Sequence, residues 1–237
     1  MRNTLAIASK EIKAYFLTPT AYVVGAMFLV LTGIFFVFEV TSTFPEATVR
    51  GLVQWSSFFM LFLSPLLTMR LLAEEQKMGT LELLLTAPVR DWEVVMGKYL
   101  AALLTMVVTV LLTLYYVALL YWFGDPDTWP VLSAYLGLLL YGAAAVAVGL
   151  LASALSSYQI VAAVVGTAVL LTLSFLDAVA DLVTGVAAQV LTGLSMDSHL
   201  VDFNRGVMDG SNIVYYVSVT AVFLFATVRL LETRRWQ

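Results

Sequence analysis

The sequence of 237 residues has no cysteine and a single histidine, His199. The absence of cysteine excludes disulfides, thiolate metal sites and cysteine nucleophiles. A zinc site usually needs several His or Cys ligands, so the lone histidine argues against a zinc centre. Charge is scarce too, because Asp, Glu, Lys and Arg make up 12% of the chain, against roughly a quarter in a soluble domain. The rest of the chain is unusually apolar.

The composition and the long apolar runs predict a membrane protein. Apolar residues make up 61% of the chain, and the mean hydropathy is +0.94. A larger soluble core does not explain this excess, because the helices around such a core need polar outer faces. A helix needs about 20 mostly apolar residues to cross the hydrocarbon layer. Six stretches meet this requirement and predict an all-α membrane protein with spans at 21–40, 53–73, 94–122, 131–154, 158–176 and 212–231.

The distribution of Lys and Arg predicts the orientation, because these residues accumulate on the cytoplasmic side of a membrane. If six spans alternate, one side holds ten of the 12 basic residues: Arg2, Lys10, Lys13, Arg70, Lys77, Arg90, Lys98, Arg229, Arg234 and Arg235. Only Arg50 and Arg205 fall on the other side, so both termini are predicted to be cytoplasmic. The external acidic residues either form a cation-binding rim or are tolerated where basic residues are not; they are Glu46, Asp125, Asp127, Asp177, Asp181, Asp197, Asp202 and Asp209.

Residues 3–17 have a helical period of their own, with apolar residues on one face and polar residues on the other. This pattern predicts an amphipathic helix lying in the cytoplasmic interface, with its lysines near lipid phosphate. The alternative is a cytoplasmic extension of the first span. The sequence Thr18-Pro19-Thr20 interrupts the path into the membrane and favours the interfacial helix. The apolar face holds Leu5, Ala8, Ile12, Tyr15 and Phe16, and the polar face holds Ser9, Lys10 and Lys13.

The predicted spans carry no ionisable residue at their centres. Transporters driven by ion gradients generally place such groups inside the membrane. If this protein moves a substrate, we therefore expect the free energy to come from a partner. The external segment 177–211 is too polar for a seventh span, and it predicts short helices that dip into the outer leaflet rather than a disordered loop.

Three short motifs resemble catalytic or nucleotide-binding elements, and each is incomplete. Glu74 and Glu75 resemble the paired glutamates of certain intramembrane proteases, but the membrane histidines are missing. The segment GLSM at 193–196 resembles a serine-nucleophile turn without its second glycine. GK at 97–98 is not a phosphate-binding loop, because Trp92 replaces the first glycine. We predict that the chain is not an enzyme.

The fourth predicted span is rich in small residues. Pairs of small residues four apart lie on one helix face and allow close contact between helices. The contact is either a subunit interface or packing within one subunit. In the second span, Pro65 predicts a kink, which is either a hinge or a static bend. The small residues are Gly142, Ala145, Gly149 and Ser153.

The densest run of charge is EEQKMGTLELLLTAPVRDWEVVMGK, at 74–98 on the predicted cytoplasmic side. Gly79 is expected to break the extension of the second span, and Thr80 is expected to cap a short helix over 79–88. Leu81, Leu84 and Leu85 then share one face, and Pro88 follows. Such a helix could lie on lipid or dock into a protein groove. Lipid docking favours basic neighbours, whereas this patch is flanked by Glu74 and Glu75 and contains Glu82, which favours a protein partner.

The same stretch carries a family resemblance. RLLAEEQKMGTLELLLTAPVRDWEVVMGKYLA resembles the E-x4-G-T-[LM]-E signature of ABC type-2 permeases, with its later P-[VL] and G-K elements. ASKEIKAYFLTPTAYVVGAMFLVLTGIFFVF and HLVDFNRGVMDGSNIVYYVSV resemble the gliding-motility-associated and nitrous-oxide-reductase-maturation branch of these permeases. The resemblance covers nearly the whole chain, and its middle motif is the most specific part.

The resemblance implies an exporter-like permease subunit of a prokaryotic inner membrane. It implies six spans, an interfacial N-terminal helix, a coupling helix between spans two and three, and re-entrant helices before span six. Two permease copies or paralogues pair with two ABC ATPase subunits, which hold the ATP and Mg²⁺; members of this branch sometimes act with an extra periplasmic protein. No cofactor on this chain and no nucleic-acid partner is expected. The resemblance assigns the ATPase contact to Glu74, Gly79, Thr80, Leu81, Glu82 and Pro88, and we add Leu85 on the same patch and Lys98 after it. It assigns the interfacial segment to Lys10, Glu11, Tyr15, Phe16 and Pro19.

Two functions follow as hypotheses. In the first, the chain is the permease of an ATP-driven transporter, and the coupling helix transmits movement from the ATPase to the spans. In the second, the chain transmits force from the same ATPase to a periplasmic partner and moves no substrate. A partly polar path between two subunits would favour transport, and a sealed interface would favour the second function.

Overall fold

The computed structural model describes residues 2–41, 48–80 and 89–235. Within these ranges the secondary structure is entirely helical, which confirms the predicted all-α class. The helices are α1 (Arg2–Leu17), α2 (Pro19–Val40), α3 (Arg50–Thr68), α4 (Arg70–Lys77), α5 (Asp91–Leu112), α6 (Leu114–Phe123), α7 (Thr128–Leu155), α8 (Gln159–Ser174), α9 (Leu176–Ala180), α10 (Val186–Leu194), α11 (Met196–Asn204) and α12 (Gly210–Arg235).

Five helical stretches in the described residues are long and apolar enough to cross a membrane. The stretch at the predicted fifth span, α8, has 16 residues and is shorter than the others. The count of six spans therefore stays a prediction. The five stretches are Pro19–Val40, Arg50–Lys77, Asp91–Phe123, Thr128–Leu155 and Gly210–Thr233.

Helix α7 is the centre of the bundle. It contacts α3, α5, α8, α11 and α12, and 72% of its most apolar window is buried, against 17% for α2 and α12. Its small residues explain this position, since they let neighbouring backbones approach closely. The outer helices α2 and α12 leave apolar side chains exposed, as helices facing lipid do.

The second predicted span contains Pro65 and is interrupted four residues later. Pro65 has no backbone N–H, so it cannot donate to the carbonyl one turn before it. Helix α3 ends at Thr68, and α4 begins at Arg70. Between them, the Met69 N–H donates to the Pro65 carbonyl at 2.8 Å. The break between α3 and α4 thus lies shortly before residues 79–88, which we call the coupling stretch.

The segment 177–211 forms α10, α11 and most of α9, so the described chain is helical where short helices are predicted. Hydrogen bonds tie α11 to the bundle: the Tyr216 hydroxyl donates to the Met196 carbonyl at 2.7 Å, and the Ser195 hydroxyl donates to the Ser174 carbonyl at 2.9 Å. Phe203 of α11 packs closely on Gly137 of α7, where a Cβ would lie 2.6 Å from the Phe203 Cβ. In contrast, α10 has no buried residue.

Candidate coupling site

Lys98 is the most deeply buried charged residue that the structure describes, at 1% exposure. Its ammonium lies 2.7 Å from the Glu75 carboxylate and 3.0 Å from the Glu11 carboxylate. These residues belong to α5, α4 and α1, and we call them the charged triad. A buried ammonium needs such partners, because an unpaired charge inside a protein costs several kcal/mol. The triad therefore joins the amphipathic N-terminal helix to the helices on both sides of the coupling stretch.

Helix α1 packs against the start of α5. Gly97 makes this possible, since a Cβ there would lie 2.8 Å from the side chain of Ile7 and 3.0 Å from the Thr4 carbonyl. On the same helix, the Tyr15 hydroxyl donates to the Leu67 carbonyl of α3 at 2.8 Å. Burial raises the pKa of Tyr15 well above its usual range, so this hydroxyl keeps its proton.

The predicted apolar face of the amphipathic helix α1 is only partly buried. Ala8 and Tyr15 are buried against the bundle, whereas Phe16 is 46% exposed and Leu5 is 67% exposed. Lys10 and Lys13 are exposed, on the polar face where the sequence places them. The helix thus has one side on the bundle and a second apolar edge that is exposed.

Arg70 holds the start of α4 against the junction of α1 and α2. Its guanidinium donates to the hydroxyls of Thr18 and Thr20, each at 3.2 Å. It also lies 3.6 Å from the Glu74 carboxylate one turn along α4. The break at Thr18-Pro19-Thr20, which the sequence predicts, is therefore a contact point for α4.

The end of α4 leads into the coupling stretch. The helix ends at Lys77, and Gly79 adopts φ +68°, a left-handed conformation that favours glycine. The hydroxyl of Thr80, which is expected to cap the next helix, donates back to the Glu75 carbonyl at 3.3 Å. The remaining predicted coupling residues lie outside the described residues: Leu81, Glu82, Leu85 and Pro88.

Ser153 connects α7 to the break between α3 and α4. Its hydroxyl is fully buried, accepts from the backbone N–H groups of Leu72 and Ala73 at 3.0 and 3.1 Å, and donates to the Met69 carbonyl at 2.9 Å. A hydroxyl has one donor and two acceptor positions, so this one is fully used. One turn further on, the Gln76 amide donates to the Ala154 carbonyl at 2.9 Å. Helix α4, which leads into the coupling stretch, is thus fixed to the central helix α7.

A recess of about 510 Å³ lies where α1, α4 and α5 meet. All three members of the charged triad line it, together with Arg70, Glu74 and Thr80. The recess borders the first residues of the coupling stretch. Charged groups from three helices therefore converge on the segment that the sequence assigns to a partner.

The comparison with protein families decides the identity of this bundle. The family model described as ABC-2 family transporter protein matches residues 39–190, more than half of the chain. The chain belongs to the ABC-2 transporter family. No curated protein matches the chain. As the membrane component of this family, the protein is the permease part of an ABC transporter, and permeases of this kind work with an ABC ATPase.

The small residues of α7 lie inside this ABC-2 permease chain. Gly142, Ala145, Gly149 and Ser153 are all buried within the single chain. A Cβ at Gly142 would lie 3.3 Å from Met106, and a Cβ at Gly149 would overlap the Thr68 hydroxyl. The four residues therefore make contacts within the chain, with α3 and α5 among their neighbours.

In the serine segment of this permease, the Ser195 hydroxyl bonds to the backbone rather than to the histidine. Ser195 is fully buried, and its hydroxyl donates to the Ser174 carbonyl. His199 Nδ1 lies 2.8 Å from the Ser195 carbonyl rather than from the hydroxyl, and the imidazole stacks on Tyr215 with ring centroids 3.8 Å apart. The ring stacking holds α11 on α12, and the serine hydroxyl that contacts the imidazole is that of Ser198, 3.2 Å from His199 Nδ1.

Sequence reasoning missed three members of the site. In the sequence, Glu75 stands out only as half of a glutamate pair, Arg70 only as one of the basic residues on the predicted cytoplasmic side, and Gln76 not at all. Local patterns could not find them, because Glu75 bonds to a residue 23 positions away and Gln76 to one 78 positions away. A buried polar contact between helices becomes visible only when the packing is known.

We expect Ser153→Ala to lower the free energy of unfolding of the permease by about 1–3 kcal/mol, because buried N–H and C=O groups lose their partner. Thermal unfolding of the purified protein in detergent measures the change. Ser133→Ala is the matched control: Ser133 lies on the same helix with 0% exposure, and its hydroxyl has no hydrogen-bond partner in the described part of the chain. Equal losses in the two variants would contradict the role given to Ser153.

Proposed function

We propose that this chain is the exporter-type permease of an ABC transporter, in the gliding-motility-associated and nitrous-oxide-reductase-maturation branch. In this proposal it crosses a prokaryotic inner membrane six times, with both termini in the cytoplasm. A second copy or a paralogue completes the permease pair. ATP and Mg²⁺ bind to a dimer of separate ABC ATPase subunits, which carry out the hydrolysis, so the chain itself is not an enzyme and holds no cofactor.

The observation that carries the proposal is the anchoring of α4 on three sides. Lys98 joins it to α1 and α5, Arg70 joins it to the α1–α2 junction, and Ser153 joins it to α7. The coupling stretch follows directly after α4. A force on that stretch would therefore reach an interfacial helix and the centre of the bundle together.

Rigid contacts suit this task. Packed interiors deform little, so a displacement at one end of a helix is passed to its neighbours. Three of the connections are hydrogen bonds or ion pairs of 3.0 Å or less, and the triad bonds are charge-assisted. In the proposed mechanism, closure of the ATPase pair pushes residues 79–88, and α4 turns that push into a joint movement of α1, α5 and α7.

The connection 155–158 is proposed as a second, smaller cytoplasmic contact. Leu155 and Tyr158 are 52% and 66% exposed. The Ser157 hydroxyl contacts the Gln76 amide oxygen at 3.4 Å. A partner that contacts this turn would therefore also contact α4, which leads into the coupling stretch. This arrangement supports one continuous docking surface.

A second candidate function is transmission of force to a periplasmic partner without transport. The exposed apolar side of α10 favours it, because Val186, Val190 and Leu194 are 76%, 54% and 50% exposed at intervals of four residues. Such a stripe would suit a docked protein. Site-specific crosslinking from Val190 separates the two functions: crosslinks to lipid alone would favour transport, and a crosslinked protein would favour force transmission.

The coupling assignment is tested by Glu82→Arg. We expect this charge reversal to abolish most ATPase association and ATPase stimulation while leaving the helical content unchanged, because the change lies on the proposed docking patch. Co-purification of the ATPase and its hydrolysis rate in the complex are the measurements. Glu232→Arg is the control, since Glu232 pairs with Arg229 on α12 and does not line the recess beside the coupling stretch. Normal association and activity of the Glu82 variant would show that the coupling assignment is wrong.

A further inference from the structure

A second cavity of about 620 Å³ lies at the opposite end of the bundle from the coupling recess. It is formed by the end of α2, the start of α3, and residues of α9 and α11. Helix α3 runs from this cavity at Arg50 to the break near Ser153 at the other end. The cavity therefore sits where the apolar helices give way to polar connections.

Charges of both signs line this cavity without pairing to each other. The basic residues are Arg50 and Arg205, and the acidic residues are Glu39, Asp177 and Asp197. Among the described residues, no ion pair joins any of these five groups. Opposite charges in one partly enclosed space normally pair, since their attraction grows as water is excluded. Unpaired side chains of both signs can bind a third molecule that itself carries both charges.

The acidic side of the cavity carries several hydrogen-bond acceptors. Burial, with the nearby Asp177 carboxylate, raises the pKa of Asp197 to about 6. The Asn204 Oδ1 is shielded from solvent and accepts no hydrogen bond from the described chain. Glu39 lies directly on Gly51, where any Cβ would overlap its carboxylate. Acceptors gathered in this way suit a cationic N–H donor, whose charge would also stabilise the ionised form of Asp197.

The remaining wall is apolar and partly open. Phe58 and Phe175 line it at 37% and 45% exposure, and Val201 lines it at 43%. Trp55 stands beside Phe58, with ring centroids 6.2 Å apart. Aromatic side chains at the boundary between apolar helices and polar connections are typical of contacts with lipid near the headgroup level. The occupant should therefore have an apolar part as well as two opposite charges.

We propose that this cavity binds the headgroup of a zwitterionic phospholipid that carries a phosphate and a primary ammonium. Arg50 and Arg205 would hold the phosphate, because guanidinium groups bind phosphate oxygens in pairs of hydrogen bonds. The carboxylates and Asn204 would accept from the ammonium, and the aromatic wall would cover the glycerol and the first acyl carbons. A trimethylated amine has no N–H to donate and fits this acceptor set less well. Assignment of the lipid to the outer leaflet rests on the proposed topology; the site itself does not.

The test uses the purified full-length permease after delipidation. It is incubated with an equimolar mixture of phosphatidylethanolamine, phosphatidylcholine and phosphatidylglycerol, and native mass spectrometry counts the lipid retained. We expect preferential retention of phosphatidylethanolamine. Arg50→Gln with Arg205→Gln, and separately Asp177→Asn with Asp197→Asn, should each weaken retention at least about tenfold. Asp125→Asn with Asp127→Asn is the matched control. Both acids are exposed just before the start of α7, and neither lines the cavity.

Each other outcome would overturn the proposal. Equal retention of the three lipids by the unmodified protein would overturn it. This comparison needs no variant, so the proposal can be tested even if a variant fails to fold. Preference for phosphatidylglycerol, with an effect of the arginine changes alone, would show an anion site. Displacement of the lipid by soluble glycerophosphoethanolamine at equal concentration would show that the lipid chains add nothing. The measurement needs neither ATP nor the ATPase, so its failure is distinct from failure of the coupling proposal.

Discussion

Lys98→Met is expected to destabilise the permease by about 3–5 kcal/mol, the usual consequence of removing one partner from a buried ion pair. The substitution would leave the Glu11 and Glu75 carboxylates in one recess without the ammonium that now lies 3.0 and 2.7 Å from them. Both carboxylates would then be partly desolvated and would repel each other. Thermal and denaturant unfolding of the detergent-solubilised protein measure the loss.

Two further variants isolate the charged triad. Lys13→Met removes a lysine from the exposed side of α1 and should change stability by less than about 0.5 kcal/mol. Adding Glu11→Gln and Glu75→Gln to Lys98→Met should recover most of the loss, because no charge is then left unpaired. If Lys98→Met behaves like Lys13→Met, or if the added glutamines do not help, the triad does not hold these helices together.

The second large effect is expected at the close contact between α7 and the end of α3. Gly149→Leu should destabilise the bundle by about 3 kcal/mol or more, at or beyond the upper end of overpacking effects, since even a Cβ overlaps the Thr68 hydroxyl. Thr68 cannot move away easily, because it is fully buried and its hydroxyl donates to the Ser64 carbonyl at 2.9 Å. Loss of monodisperse protein in size-exclusion chromatography and a lower unfolding temperature are the measurements.

A control on the same helix makes the Gly149 prediction specific. A Cβ at Gly142 would meet Met106 and Met60 at 3.3 and 3.5 Å, and flexible methionine side chains can yield by that amount. Gly142→Ala should therefore cost less than about 1 kcal/mol. Gly149→Ala should be partly rescued by Thr68→Ala, which removes the overlapping hydroxyl. A stable, fully assembled Gly149→Leu protein would show that this contact is incidental.

These predictions share one mechanical consequence. Lys98 and Ser153 both hold α4 in place, and Gly149 lets α7 approach the end of α3, just before α4 begins. Weakening any of them should loosen the path between the coupling stretch and the bundle. A variant that retains ATPase binding but loses ATPase stimulation would therefore be expected from mild changes at Ser153, and it would separate docking from transmission.

The amino-acid sequence by itself determined the all-helical membrane class and the places where several helices break. Apolar runs must form helices in lipid, because each backbone N–H and C=O then finds its partner within the same segment. Pro19 and Gly79 act locally as well, through a fixed φ in one case and a left-handed φ in the other. The family signature likewise resides in contiguous residues, and the family match agrees with it.

Only the tertiary structure decided which polar groups meet. Glu11 and Lys98 are 87 positions apart, and Leu72 and Ser153 are 81 positions apart. The family resemblance places Lys98 with the coupling residues, and the spacing of small residues places Ser153 with the packing residues. The fold adds that Lys98 is buried among carboxylates and that Ser153 has three backbone partners. Local patterns fix the period and side of a helix. The depth, rotation and neighbours of each side chain depend on how all the helices pack at once.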